Sequence, residues 1–514
     1  MNLPTTQIVK LLASRKIDQA VALIDANGGP FFGFLHGYEA LNALVAAAPE
    51  QALNEYQTLL SCYCFALVKA GRARRASAII KDKQEIFDTA FARDMMELAV
   101  FIHTGEPVTE ERLTRWRQME GLLPVGNPLQ DGLYYNCMVI VLVRLNLLKQ
   151  ARNVALRGIE SYRQAENPSL EFYMYLHLAH MSVLEGSLHR ADRELRMAKA
   201  LVQEDEVAHA TSAAFLEIIK NAIALESGRY VPDRTRLEAL RKELVHGDSW
   251  AEIFNELSRV GAISLYFSDG LSTALDFIAD CQIDFNRRHG DFSEALEIMA
   301  ATIELLDGRT EHALRICSEV PKDQSLVGAT GSIVLGSMLG KLGNSDLALS
   351  IAREMDTSPR FVLAGELMKA SEAKEERDKA KQRRHVQNAM RLAVNEGLVG
   401  PFLEHREAVV GVSGYLATGK FARGHIQLSR MAKRIHELVR GSFLSPRMTA
   451  AKSVTTQQMR VLSALRDGAS NKQIARKLGL SEAAVKYHIG RLLKRFQARK
   501  RGQLIEITEE LSII

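Results

Sequence analysis

At 514 residues the chain exceeds what one hydrophobic core usually serves, which predicts two or more domains or an extended repeat architecture. A hydrophobic content of 47%, a charged content of 25% and only 12 prolines exclude a chain dominated by disordered tails. The net charge of +5 conceals an asymmetry: between Pro446 and Ile505, 14 Lys or Arg face only Asp467 and Glu482, a net +12 that leaves −7 on the remainder. That is the pattern of a basic module that meets a polyanion, attached to a mildly acidic body that does not.

The first 25 residues are helical in pattern, with acids and a glutamine breaking any secretion-like core, and no 18-residue apolar run appears. Cys62, Cys64, Cys137, Cys281 and Cys317 are odd in number and lack the spacing of zinc or redox pairs. The expectation is a cytoplasmic protein with buried, reduced thiols and no membrane partner.

From Met1 to about Gly441 apolar residues recur at three- and four-residue spacings, which predicts an all-helical domain over 1–440. Turns are expected at Asn27-Gly28-Gly29-Pro30, Gly126-Asn127-Pro128 and Gly343-Asn344. A weak repeat runs through it: glycine, alanine five residues on, then an apolar or small residue four further. It occurs at Gly71/Ala76/Ile80, Gly186/Ala191/Leu195, Gly290/Ala295/Met299, Gly308/Ala313/Cys317 and Gly343/Ala348/Ala352. The glycine can cap one helix and the alanine lets the next pack closely. Around Ala191 the fit extends to Leu178-Ala179 and Ala198. These residues resemble the tetratricopeptide pattern, which implies a degenerate alpha-solenoid. Residues 205–270 lack the signature, and a generic helical domain with small residues at close crossings is the alternative.

His177 and His180 stand three apart on one predicted helix, a metal-compatible spacing if a third ligand converged; exposed histidines without a metal are the expectation. The Gly-x-x-x-x-Gly-Lys-Ser/Thr phosphate loop is missing. Its nearest relative, Gly336 to Leu342, is one residue short and lacks the hydroxyl, so no ATP-driven switch is expected. Neither a phosphoacceptor pattern nor paired acids nor a strained nucleophile turn stands out, so the prediction is a non-enzyme without cofactor or metal. The run 371–384 interleaves Lys and Arg with Glu and Asp and is expected as a solvated helix face. Residues 385–404, HVQNAMRLAVNEGLVGPFLE, are similar to a stretch of the solenoid in large LuxR-family regulators related to the maltose-regulon activator. Residues 441–453, GSFLSPRMTAAKS, lose helical periodicity and are expected as a linker.

The segment 454–514 reads as four helices. In the first, Val461, Leu462 and Leu465 share a face, Thr455 or Thr456 caps the start and Gly468 follows the end. Ser470 caps the second, NKQIARKL, with Ile474, Ala475 and Leu478 inward, and Gly479-Leu480 turns into Ser481. The third, EAAVKYHIGRLLKRF, buries Val485, Ile489, Leu492, Leu493 and Phe496 and presents Ala483, Lys486, Tyr487 and Gly490. Small residues at its front let it sink into a major groove, where Lys486 and Tyr487 reach base edges. Arg491, Lys494 and Arg495 approach phosphates, which gives affinity rather than sequence choice. The fourth helix offers Leu504, Ile505 and Leu511 for packing.

Residues 470–496 resemble the LuxR-type helix-turn-helix. Gly468, Ser470, Asn471, Lys472, Ile474, Ala475, Leu478, Ser481, Glu482, Val485, Lys486 and His488 stand at the family's pattern positions. The resemblance implies DNA reading through the third helix, Lys486 as a base or phosphate contact, and the fourth helix as a dimer face. The expected DNA-binding set is Asn471, Lys472, Ser481, Glu482, Ala483, Ala484, Lys486, Tyr487, Gly490, Arg491, Lys494 and Arg495. The expected partners are double-stranded promoter DNA, a second copy of the chain on DNA, and an unidentified small-molecule or protein effector on the solenoid. Three departures stand out. Gln458 and Arg460 replace glutamates, which puts the family's internal hydrogen bonds in doubt; Ala484 replaces a threonine; and Gly490, where a basic residue is common, costs about 1 kcal/mol relative to alanine. The whole predicts an all-α sequence-specific transcription regulator, a tetratricopeptide-like solenoid followed by a LuxR-type module. The alternative is a helical-repeat scaffold tethered to nucleic acid or a partner by its basic module.

Overall fold

The computed structural model describes residues 3–201, 210–229, 232–246, 249–318, 327–342, 358–417, 425–439, 454–496, 498 and 500–510. Among them every regular element is helical, and no helix is long and apolar enough to cross a membrane.

The elementary unit of the body is a helix hairpin, and its ends follow from local chemistry. Asn127 caps Pro128–Arg144 by accepting from the Gln130 amide at 3.2 Å, and Pro128 occupies the first turn, where a missing N–H costs nothing. The helix stops at Asn146, φ +60°, and Leu148–Gln164 returns against it. The same device then recurs: Asn167 caps Pro168–Glu185 through the Leu170 amide at 3.0 Å, Gly186 at φ +77° ends it, and Leu188–Leu201 returns. Where helices cross closely a glycine gives way to an aromatic ring, Gly132 under Tyr162 and Gly261 under Phe277.

The glycine-alanine pattern has a direct structural counterpart. Gly71, Gly186, Gly290 and Gly308 all lie at positive φ, and Ala76, Ala191, Ala295 and Ala313 are fully buried. Gly343/Ala348/Ala352 lies outside the described residues, as do Leu511 and the expected linker 441–453. Contacts are not confined to neighbouring hairpins. The Gly105 amide donates to the His289 carbonyl at 3.3 Å, Arg288 donates to the Lys69 carbonyl at 3.1 Å, and buried Arg144 pairs with Glu252 at 2.8 Å. One apolar cluster therefore runs from Ile8 to Leu403, a second gathers Leu188 with residues between Leu363 and Val439, and a third is confined to the C-terminal module.

Two expectations need correction. His177 and His180 are buried rather than exposed, because Pro168–Glu185 is an inner helix covered by Leu148–Gln164, Leu188–Leu201 and Ala210–Glu226. His177 lies 3.2 Å from Asn136 Oδ1 and against Trp250, His180 is 3.5 Å from Glu256, and no metal-holding group of His, Cys, Asp and Glu occurs among the described residues. The run 371–384 is solvated for most of its length, but it is no single helix face: it bends between Pro359–Glu375 and Lys379–Glu396 at Arg377, φ +58°. Gly336 to Lys341 lies inside the buried helix Gly328–Lys341 and forms no phosphate loop. Burial pushes the thiols of Cys62, Cys64, Cys137 and Cys281 up to about 12, so they are inert packing groups.

Candidate nucleic-acid interface

Each helix of the C-terminal module begins and ends on an identifiable residue. Thr455, not Thr456, caps Thr456–Arg466: its hydroxyl accepts from the Gln458 amide at 3.2 Å while Gln458 Oε1 accepts from the Thr455 amide at 3.1 Å. Ser470 and Gln473 form a second reciprocal box at the start of Asn471–Leu478, with distances of 3.4 and 2.8 Å. Gly479 at φ +67° closes that helix, and Ser481 accepts from the Ala484 amide at 3.1 Å to open Glu482–Arg495. Arg501–Glu510 forms the fourth helix.

Val461, Leu462, Leu465, Ile474, Ala475, Val485, Ile489, Leu492, Phe496 and Leu504 are buried together, with Leu478, Leu493 and Ile505 partly buried against them. Burial of one side of Glu482–Arg495 leaves the other in solvent. Ser481, Glu482, Ala483, Lys486, Tyr487, Gly490, Arg491 and Lys494 are all exposed on or beside that helix, and Lys472 is exposed on the preceding one. Tyr487 keeps 59% of its surface accessible. Arg491 Nη1 donates to its hydroxyl at 3.3 Å, so the aromatic ring and the guanidinium form one exposed unit. Gly490 beside them leaves a gap, since an added Cβ would meet nothing within 4 Å.

Three members of the expected set stand apart from that face. Ala484 is half-buried, Asn471 Oδ1 accepts from Arg501, and half-buried Arg495 donates to Gln458 Oε1 at 3.0 Å. The last two contacts reveal roles that sequence reasoning missed. Gln458, 4% exposed, both caps the first helix and braces the end of the third, so the internal hydrogen bond that loss of a glutamate put in doubt is made by an amide. Arg501 ties the fourth helix to the start of the second. The signal for Gln458 was its position three residues after Thr455, where a reciprocal cap needs Gln or Glu.

The arrangement can present one helix to a groove about 12 Å wide, carrying Lys486, Arg491 and Lys494, which make no ion pair among the described residues. Residues 452–508 match the family described as "Bacterial regulatory proteins, luxR family". No curated protein matches the chain. The match covers the C-terminal module and leaves the helical body aside: the chain carries a LuxR-family helix-turn-helix DNA-binding domain behind an all-helical body.

Proposed function

We propose that the chain is a sequence-specific transcription regulator in three parts: a tetratricopeptide-like sensing body over 1–440, a linker over 441–453 and a DNA reader over 454–514. The observation that carries this reading is the exposed face of Glu482–Arg495, with Lys486, Tyr487, Gly490, Arg491 and Lys494 in solvent opposite buried Val485, Ile489 and Leu492. Lys486 and Tyr487 meet base edges, while Lys472, Arg491 and Lys494 meet phosphates. Ser481, Glu482 and Ala483 lie at the front, where the short side chains of Ser481 and Ala483 permit close approach. Asn471 and Arg495 act by holding the module together rather than by touching DNA first.

In this reading the protein works in the cytoplasm and binds promoters as a homodimer through its fourth helix. The body, built like the solenoid of maltose-regulon-type activators, takes an effector that decides whether the reader is free. The chemistry is recognition, not catalysis.

The test is recovery of genomic fragments by the full chain and by Lys486→Ala at two salt concentrations. The expected result is enrichment of a few promoter sites that the variant loses. Indiscriminate, purely salt-sensitive recovery, equal in both proteins, would overturn the reading in favour of a scaffold that its basic module tethers to nucleic acid.

A further inference from the structure

The body contains a cavity of about 320 Å³ enclosed by segments distant in sequence: the Gly28-Gly29-Pro30 turn, the start of Gln57–Lys69, the first turns of Ala90–Phe101 and the start of Pro128–Arg144. Its volume lies within the range of small-molecule sites. Phe31, Phe87, Met95 and Met96 supply an apolar wall, and methionine side chains repack readily around ligands of different outline. Ser61, also on the lining, is 1% exposed, and its Oγ finds no hydrogen-bond partner. A buried hydroxyl left unpaired is costly, so the position is poised to pair with a polar atom of an occupant.

The charge on the lining selects the class of that occupant. Asp25 is exposed at the mouth, where Thr58 donates to its Oδ1 at 2.7 Å and leaves further acceptor sites on the carboxylate. Among the described residues no Lys, Arg or His lines the cavity, so nothing there would compensate a phosphate or carboxylate. Two aromatic rings and a carboxylate suit a cation.

We infer that this cavity is the effector site of the body and takes a small organic ammonium compound, its charge on Asp25, its apolar part against Phe31, Phe87, Met95 and Met96, and a polar atom on Ser61. The inference rests on the proposal that the body senses an effector, and names where and what.

Calorimetric titration of the full chain with 2-phenylethylamine, 2-phenylethanol and phenylacetate, three compounds of one size and different charge, tests it, with a panel of aryl and alkyl amines alongside. The amine should bind saturably and phenylacetate should not. Asp25→Asn should weaken the amine about fivefold, the size of an exposed ion pair, and Ser61→Leu should block it by filling the space. Asp25 is exposed, so its variant remains decisive even where Ser61→Leu misfolds. Equal binding of all three compounds, indifference to Asp25→Asn, or no binding across the amine panel would overturn the assignment. Promoter-fragment affinity measured with and without bound amine separates the two readings: binding without a change in DNA affinity upholds the site and removes control by this site, whereas failure of every amine to bind removes the site and leaves the DNA-binding reading to its own test.

Discussion

The buried arginines at the centre of the body and the exposed cations on the third helix of the module stand in opposite situations. In the body, Arg259 is 1% exposed, bonded to Glu226 at 2.7 Å and to Glu256 at 2.8 Å, and Arg360, also buried, joins Glu226 to Glu404. These residues lie on Ala210–Glu226, Ala251–Asp269, Pro359–Glu375 and Gly400–Glu404, so one network pins four helices from distant parts of the chain. In the module, Arg491 and Lys494 stand in solvent on the exposed face of Glu482–Arg495. Desolvation makes a buried pair weak as a source of net stability but severe when broken, so the body's arginines fix which helices meet. Exposed cations cost little to keep and remain available to phosphate, which on the proposed reading makes Arg491 and Lys494 a source of affinity.

The largest effect that would break this contrast is in the body. Arg259→Ala leaves buried Glu256 without its arginine and Glu226 with Arg360 alone, and is expected to cost about 3–5 kcal/mol, read by chemical denaturation as early loss of the body's transition with the module's helices still folded. Lys486→Ala should do the reverse, leaving the melting temperature in place while costing about 1–3 kcal/mol in promoter binding and lowering the salt slope by about one ion, as measured by fluorescence anisotropy across a salt series.

Acid sharpens the contrast further. Burial depresses the imidazoles of His177, His289 and His405 to about 3, with His180 adding to the first, Arg288 to the second and Lys341 to the third. Each is neutral when folded and takes up a proton when unfolded near 6.5. Their contribution is therefore complete above about 6.5 and lost as pH falls toward 3, by about 1 kcal/mol per histidine per pH unit. Melting followed from pH 7.5 to 5 should show the body's transition falling. The smallest effect is expected at Gly490→Ala, which should stabilise the third helix by up to about 1 kcal/mol because the new Cβ meets open space. A gain in melting temperature accompanied by weaker DNA binding would show that the gap beside Tyr487 is used.

How much was legible follows from the reach of each signal. In the module the deciding residues lie within four positions of what they decide: Ser470 with Gln473, Gly479, Ser481 with Ala484. Periodicity alone then separated Val485, Ile489 and Leu492 from Lys486 and Gly490. In the body, Gly186 and Ala191 spoke for themselves in the same way. The turn at Arg377 did not, because an arginine at positive φ leaves no glycine, proline or asparagine to announce it. Nor did the burial of His180, which depends on Glu256 in a helix far along the chain, or the pairing of Arg360 with Glu226 across 134 residues. Spacing cannot report a partner that only tertiary folding brings near. Within the module the same limit hid Arg495 behind Gln458, 37 positions away.

That last contact bears on how the protein weathers acid. The brace beneath the third helix is a carboxamide, and a carboxamide has no proton to gain or lose across the physiological range. A glutamate in its place would change charge at low pH and could let the helix drift; Gln458 holds the same pose throughout. At this one contact, therefore, the hold of the first helix on the third carries no charge that acid can change, unlike the buried imidazoles of the body.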